Sequence, residues 1–183
     1  LLPDADKRVT QGFKQEGDRV YVIGGGAPTL GGSEYLSLVH GQEVGELPML
    51  DMEAEKRVQS FIREAIEHGL VQSAHDVSDG GLAGALAECC MAEGHGSQPV
   101  TFSNTKNAAL LFGEVTSHVI VSVKEKYDEQ FLELSKTHAI EVSAVGSVTG
   151  TEMRITVDEQ DALSLPIAAM RSAYEDAIPQ AMA

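Results

Sequence analysis

Short runs typical of β-strands alternate along this chain with runs whose apolar residues follow helical spacing. Positions 19–23, 70–77 and 119–123 predict strands, and a helix is predicted to begin at Asp51 and end at His68-Gly69. Because strands and helices mix throughout, we predict the α+β (mixed α/β) class, a single domain whose mixed sheet is packed with helices. The further predicted helices are 34–39 with Ser33 as cap, 82–91, 106–112, 126–136 and 166–177, and the further strands are 99–102, 140–148 and 153–157.

The length of 183 residues suits one domain with a sizeable core, since 43% of the residues are apolar. A chain of this size buries roughly 70% of its unfolded surface, so its fold requires neither disulfides nor a metal. Cys89 and Cys90 are adjacent within a predicted helix, which indicates small core residues in a reducing compartment. The polar, irregular positions 1–18 are predicted to be an N-terminal extension or linker, and positions 19–183 the domain itself.

The charge of the chain limits the partners it can have. Thirteen Lys and Arg against 28 Asp and Glu give a formal net charge of −15, which repels nucleic-acid backbones and anionic membrane surfaces. We therefore expect no nucleic acid and no membrane among its partners, and a cytoplasmic location. An anionic ligand could still bind where a metal ion or a helix N-terminus neutralises its charge locally.

The most informative segment joins the predicted strand at 70–77 to the helix that follows. It places Asp76, Ser78 and Asp79 directly before Gly80-Gly81. A strand end followed by glycines lets the backbone approach a phosphate, and an Asp there can hold Mg²⁺ against phosphate oxygens. The same residues are equally typical of a simple helix cap, with Asp76 bound to nearby backbone amides.

Three weaker candidates could likewise either bind a ligand or have a purely structural role. The glycine-rich positions 24–32 lack the residues of a known phosphate-binding loop and favour a turn that needs positive φ. Glu114 and Thr116 could reach a ligand, although such groups more often satisfy backbone amides. His75 adjoins the acidic junction and could titrate usefully, but a hydrogen-bonded structural role is more common.

Four blocks of sequence carry a resemblance to a known family, and they are 30–36, 50–57, 73–82 together with 85–88, and 111–114. Taken in order, they resemble the phosphoribosylformylglycinamidine synthase family, within the wider superfamily of aminoimidazole ribonucleotide synthetase. The resemblance spans nearly the whole chain and matches the C-terminal domain of the second of two pseudo-repeats in the small form of that enzyme. It implies that 19–183 is an aminoimidazole ribonucleotide synthetase-like C-terminal domain and that 1–18 leads from an upstream domain.

The resemblance implies an ATP-dependent C–N ligase of purine biosynthesis. Members of the family convert formylglycinamide ribonucleotide, ATP and glutamine-derived ammonia to formylglycinamidine ribonucleotide, and in the small form a glutaminase subunit and a small helper subunit deliver the ammonia. The catalytic residues of the family lie on upstream domains of the same chain. No catalytic residue is therefore expected in this segment, which should be inactive alone.

Two residues match family positions in an auxiliary nucleotide site. Asp76 matches a Mg²⁺-binding Asp and Ser78 matches a Ser that contacts ATP or ADP. His118 departs from the family pattern, where Arg is expected, so a contact made by that Arg would be altered and could become sensitive to pH. The alternative is a non-catalytic structural and subunit-docking module whose acidic junction is only a helix cap.

Overall fold

A single mixed sheet forms the centre of the molecule. The structure is a computed structural model that describes residues 4–102 and 108–182. Within those ranges the strands are β1 Arg19–Ile23, β2 Val71–Asp76, β3 Ser97–Phe102, β4 Val119–Val123, β5 Val142–Val148, β6 Glu152–Val157 and β7 Gln160–Pro166. They form a seven-stranded sheet in the order β2-β4-β1-β5-β3-β6-β7. The pair β3–β6 is parallel and the other neighbours are antiparallel, which confirms the predicted mixed sheet.

The helices follow the predicted spacing closely where a capping residue marks their start. The Ser33 side chain accepts from the Leu36 amide, so Ser33 is the N-cap that the sequence predicted. Asp51, which was predicted to begin the next helix, is the N-cap of that helix, since its side chain accepts from the amides of Glu53 and Ala54. None of the helices in the described ranges has the length and apolarity needed to cross a membrane. The helices are α1 Glu34–His40, α2 Met52–Glu67, α3 Gly81–Glu93, α4 Ala108–Phe112, α5 Asp128–Thr137, α6 Ile167–Glu175 and α7 Ala177–Ala181.

Two apolar clusters cover the two faces of the sheet. In one cluster Phe61 of α2 and Phe131 of α5 pack with Tyr21 of β1, and the Phe131 ring centroid lies 5.2 Å from that of Tyr21 and 5.3 Å from that of Phe61. The other cluster joins α3 and α6 to the opposite face, where Val20 of β1 is buried with Leu86. Successive residues of β1 therefore serve different cores, because side chains alternate across a strand.

Cys89 and Cys90 lie in the second of these clusters, as predicted. Both are buried and free. Burial raises the pKa of both thiols, that of Cys90 to about 11. They are therefore protonated, unreactive packing residues.

The strand β7 is not among the predicted strands, and the helices that follow it differ from the predicted one. The β6–β7 hairpin turns at Asp158 and Glu159, which have φ of 50° and 64°. Pro166 ends β7 and is the N-cap of α6 rather than a residue of its first turn. The predicted helix at 166–177 corresponds to α6, which spans 167–175, and a second helix, α7, begins at 177. Positions 106 and 107 of another predicted helix lie outside the described residues.

The segment before β1 packs against the domain. Phe13 is completely buried, and its amide donates to the Cys89 carbonyl at 3.0 Å. Thr10 forms a parallel bridge with Ser73 of β2. The packed unit therefore includes residues that precede the predicted boundary at residue 18.

Candidate functional site

The end of β2 places a carboxylate and a hydroxyl on an open surface. Asp76 is the last residue of the strand and pairs with Val119 of β4. Its side chain is 76% exposed. Ser78 follows in the loop to α3 and is also exposed. Among the described residues, no hydrogen bond engages either side chain, so both are available to a ligand.

His75 fixes the strand beside Asp76. Its Nε2 lies 2.7 Å from Oε2 of Glu88 on α3, and its Nδ1 lies 3.6 Å from Oδ1 of Asp76. The His75 side chain is only 13% exposed. This hydrogen-bonded arrangement is the structural role that the sequence analysis considered more common.

The helix after the loop begins at a glycine. Gly80 is the N-cap of α3, and within the described structure no side chain caps this helix. The hypothesis that Ser78 or Asp79 caps the helix is therefore wrong. Gly81 has φ of 65°, and a Cβ there would lie 2.6 Å from the Gly113 carbonyl oxygen. Gly80 and Gly81 both adopt left-handed conformations that favour glycine, and Gly81 also lies against the 112–113 backbone.

Glu114 connects the starts of two helices. Its Oε1 accepts from the Glu34 amide at 3.0 Å and from the Gly80 amide at 3.4 Å. Thr116 Oγ1 donates to the Met49 carbonyl at 3.0 Å. Both side chains thus satisfy backbone groups, which confirms the second interpretation of the sequence. The Glu114 carboxylate also stabilises the positive end of the helix dipoles.

An open cleft of about 630 Å³ adjoins the strand end. Asp76 and Val77 form one side, and Val58 and Ile62 of α2 form part of its apolar wall. The sequence predicted α2 but did not indicate a cleft beside it. Helical spacing shows that a side chain faces inward, but not which loop it meets.

His118 lies in the wall of this cleft. Its Nε2 is buried and has no hydrogen-bond partner among the described residues. Burial lowers the pKa of His118, against smaller opposing effects of the Gly25 backbone and Glu141. Gly24 lies close to the Ser117 backbone and has φ of 103°. Only glycine fits there, because a Cβ would lie 2.1 Å from the Ser117 carbonyl oxygen. The predicted positive-φ turn in the 24–32 segment is confirmed.

The chain offers one carboxylate, not a complete metal site, at the strand end. No group of three or more His, Cys, Asp or Glu side chains that could hold a metal ion is found in the described ranges. Mg²⁺ is commonly held by one or two carboxylates together with substrate phosphates and water. The exposed carboxylate of Asp76 fits such a role, provided that a ligand or another polypeptide supplies the remaining oxygens.

The seven-stranded mixed sheet with helices packed on its two faces defines the class of domain as α+β. The sequence model of the family described as AIR synthase related protein, C-terminal domain, matches residues 15–158. The chain therefore belongs to this family, as the resemblance indicated.

Individual relatives of the chain are subunits of one enzyme. The chain is 41% identical to the phosphoribosylformylglycinamidine synthase subunit PurL of an Anaeromyxobacter species over 98% of its own length and 24% of the relative. It is also 41% identical to the PurL subunit of Gloeobacter violaceus, over 100% and 24%. The chain spans about a quarter of the length of these relatives. Among solved structures, Thermotoga maritima PurL complexed with FGAR has a TM-score of 0.77 at 20% identity, over 91% of this chain and 30% of that one, which shows the shared fold.

Proposed function

We propose that the chain is the C-terminal part of a small-form phosphoribosylformylglycinamidine synthase and contributes an auxiliary Mg²⁺-nucleotide site through Asp76 and Ser78. The whole enzyme would convert formylglycinamide ribonucleotide, ATP and glutamine-derived ammonia to formylglycinamidine ribonucleotide. Relatives of that name match nearly the whole chain. Segment 1–18 would lead from the upstream domain, and all catalytic residues would lie outside this chain.

The observation that carries the nucleotide site is the exposed pair of Asp76 and Ser78 at the strand end, whose side chains make no hydrogen bond within the described ranges. The local field is negative, since Asp79 adjoins the pair and the Glu114 carboxylate lies 3.4 Å from the Gly80 amide. A phosphate would therefore need a cation between it and these carboxylates. Bound Mg²⁺ would neutralise the phosphate charge. Asp76 would hold the ion, and the Ser78 hydroxyl would donate to a phosphate oxygen.

Solved relatives support nucleotide binding and the partner subunits. Thermotoga maritima PurL has been solved complexed with ATP, with ADP and with AMPPCP. A further structure is that of PurLQS from the same organism. We infer that the full protein likewise takes its ammonia from a separate glutaminase subunit, with a small helper subunit in the assembly.

Titration calorimetry with Mg-ADP tests the site. We expect weak binding to the chain at millimolar ligand, because only part of the site is present. The Asp76→Asn substitution should abolish the binding. Asp6→Asn is the matched control, since it removes the same charge from another exposed position and should leave the binding unchanged. Absence of binding at millimolar Mg-ADP, or equal binding by both variants, would refute the nucleotide role.

A second experiment tests where catalysis takes place. The isolated chain, given formylglycinamide ribonucleotide, Mg-ATP and ammonia, should form no formylglycinamidine ribonucleotide. Measurable turnover that scales with chain concentration would show that catalytic residues lie within this segment.

The second candidate function is a non-catalytic structural and subunit-docking module. In the sequence-based form of this alternative, the acidic junction is a helix cap, but no side chain in the described structure caps α3. What favours it is a group of exposed apolar side chains between positions 38 and 52. A chain that binds no Mg-ADP but still associates with other domains would have this function alone.

A further inference from the structure

The imidazole ring of His75 is fixed between two carboxylates at the end of β2. Its Nε2 lies 2.7 Å from Oε2 of Glu88, and its Nδ1 lies 3.6 Å from Oδ1 of Asp76. The His75 side chain is 13% exposed, so packing holds the orientation of the ring. The backbone is held as well, because His75 pairs with Ile120 of β4. His75 is therefore a fixed group, whereas the Asp76 carboxylate is mostly exposed and can rotate.

The contact with Glu88 decides which ring nitrogen of His75 is free. An ionised carboxylate can only accept, so this hydrogen bond requires the single proton of a neutral imidazole to be on Nε2. Nδ1 then directs its lone pair towards Oδ1 of Asp76, which is also an acceptor. Two acceptors that face each other repel, and a cation bound between them removes the repulsion.

The separation of these two acceptors suits a small divalent cation with tetrahedral geometry. Zn²⁺ lies about 2.1 Å from imidazole and carboxylate ligands, so two ligand atoms 3.6 Å apart form an angle of roughly 120° at the metal. This angle is close to the tetrahedral one that Zn²⁺ commonly adopts. Mg²⁺ instead requires octahedral geometry, in which adjacent ligand atoms are only about 3.0 Å apart.

Glu88 lies where a carboxylate that orients a metal-bound imidazole is expected. A histidine that binds a metal usually donates its other ring N–H to a carboxylate or a carbonyl, which fixes the ring and makes the ligand nitrogen more basic. Glu88 accepts from Nε2 in this way. The local field also attracts a cation, because the Glu114 carboxylate lies 3.4 Å from the Gly80 amide in the following turn and the whole chain carries a formal charge of −15.

We propose that Nδ1 of His75 and Oδ1 of Asp76 together bind a divalent transition-metal ion of the zinc type, and that Glu88 positions the imidazole. Water, or a phosphate oxygen of a bound nucleotide, completes the coordination. The pair prefers such an ion to Mg²⁺, since imidazole nitrogen is a good ligand for Zn²⁺ and Co²⁺ whereas Mg²⁺ is held by oxygen. The proposal deepens the proposed function and rests on it in one respect, namely that Asp76 is a metal ligand.

Titration of the chain with Co²⁺ tests the site, because tetrahedral Co²⁺ has a visible absorption band and stands in for Zn²⁺. The band should appear without nucleotide, and Zn²⁺ should displace it while an equal concentration of Mg²⁺ should not. His75→Gln and Asp76→Asn should each abolish the band. Glu88→Gln should weaken Co²⁺ binding about tenfold, because an amide orients the imidazole less strongly than a carboxylate.

The chain contains a matched control for the substitutions at His75 and Glu88. Nε2 of His138 lies 2.8 Å from Oε2 of Glu64, and the His138 side chain is 18% exposed, so this pair resembles His75–Glu88 in distance and burial. His138→Gln and Glu64→Gln should leave Co²⁺ binding unchanged. Loss of the band in these control variants would place the ion elsewhere, and a band that survives His75→Gln would show that the imidazole is not a ligand. Either result would overturn the proposal.

Nuclear magnetic resonance of the unsubstituted chain gives a result that does not depend on the folding of any variant. Before metal is added, the ring nitrogens of His75 should be protonated at Nε2 and unprotonated at Nδ1. Zn²⁺ should shift the Nδ1 resonance and leave Nε2 protonated. A ring protonated at both nitrogens at neutral pH, or an Nδ1 resonance that does not respond to Zn²⁺, would contradict the proposal.

The proposed function and this proposal can fail separately. Binding of Mg-ADP that depends on Asp76, together with no binding of Co²⁺, would refute the role of His75 and leave the nucleotide site standing. Binding of Co²⁺ that depends on His75 and Asp76, together with no binding of Mg-ADP, would do the reverse.

Discussion

His118 carries an imidazole in the wall of the cleft, with a buried Nε2 that has no hydrogen-bond partner among the described residues. The neutral ring is compatible with this position, because a neutral imidazole carries a proton on only one of its two nitrogens and Nε2 can remain unprotonated. A protonated ring would leave a charged donor desolvated. Glu141, the acidic residue that opposes the lowering of its pKa, is exposed and compensates only in part.

This burial predicts an acid-sensitive fold. The pKa of His118 in the folded state lies below the ordinary value of 6.5, so the unfolded chain binds the proton more readily. Stability is therefore unaffected above pH 6.5 and falls as the pH drops through 6.5 towards the folded-state pKa. We expect His118→Gln to lose less thermal stability than the wild type between about pH 7.5 and 5.5.

Thermal unfolding across that pH range provides the measurement. The control is His68→Gln, which removes an exposed imidazole at the end of α2 and should reproduce the wild-type slope. If His118→Gln and the wild type lose stability in parallel, the buried ring is not the source of the acid sensitivity.

At this scale the sequence predicts contacts that are local along the chain. Ser33 and Asp51 bind amides two or three residues ahead, and residue type and position predicted the cap at Ser33 and a helix start at Asp51. Glu114 instead binds amides 80 and 34 residues away. Residue type gave both possible roles of Glu114, but only the tertiary structure supplied the partners.

The glycines at the two ends of α3 differ in how closely a neighbouring loop packs against them. Gly81 and Gly94 begin and follow α3, with φ of 65° and 81°. A Cβ at Gly94 would meet no atom within 4 Å, whereas a Cβ at Gly81 would meet the Gly113 carbonyl at 2.6 Å. The two positions share the backbone strain of a left-handed residue and differ in the space around it.

We therefore expect Gly81→Ala to destabilise the domain more than Gly94→Ala. The Gly94 variant should lose about 1 kcal/mol, the cost of a left-handed alanine. The Gly81 variant should lose roughly 2 kcal/mol more, because backbone of the 112–113 segment must move. Urea unfolding of both variants measures the difference. Equal losses would mean that the 112–113 loop yields freely.

The element that the sequence analysis missed is an edge strand with little apolar signal. In β7 only one position, Leu163, is even partly buried, so the alternation that reveals a half-buried strand is absent. Its turn uses Asp158 and Glu159 in left-handed conformations rather than the glycine that usually marks such a hairpin. Pairing with β6 provides the hydrogen bonds that stabilise the strand.

On the scale of the whole molecule, net charge acts against folding. The chain carries a formal charge of −15, and compaction brings the carboxylates closer together. Favourable ion pairs oppose this effect, among them Arg19–Asp128 at 2.5 Å and Lys14–Glu93 at 2.6 Å. These pairs are partly exposed and contribute little individually.

Salt should therefore stabilise the fold. Raising NaCl from low concentration to about 0.3 M shortens the screening length to below 10 Å and should raise the melting temperature by a few degrees. Thermal unfolding at several salt concentrations measures this. A melting temperature that falls with salt would show that the ion pairs outweigh the general repulsion.

Most of the helices and strands of this protein, and its candidate site residues, can be predicted from the sequence alone. Turn residues, caps and apolar period are local properties, so they predicted most strands and helices, and the composite Asp76–Gly81 segment pointed to the strand end. The tertiary structure decided which distant groups meet. It placed the 112–113 backbone against Gly81, made Gly80 the cap of α3, and formed the cleft from α2, the end of β2 and the loop at His118. These features depend on contacts between residues far apart in the chain, which packing and backbone hydrogen bonding fix only after the sheet has formed.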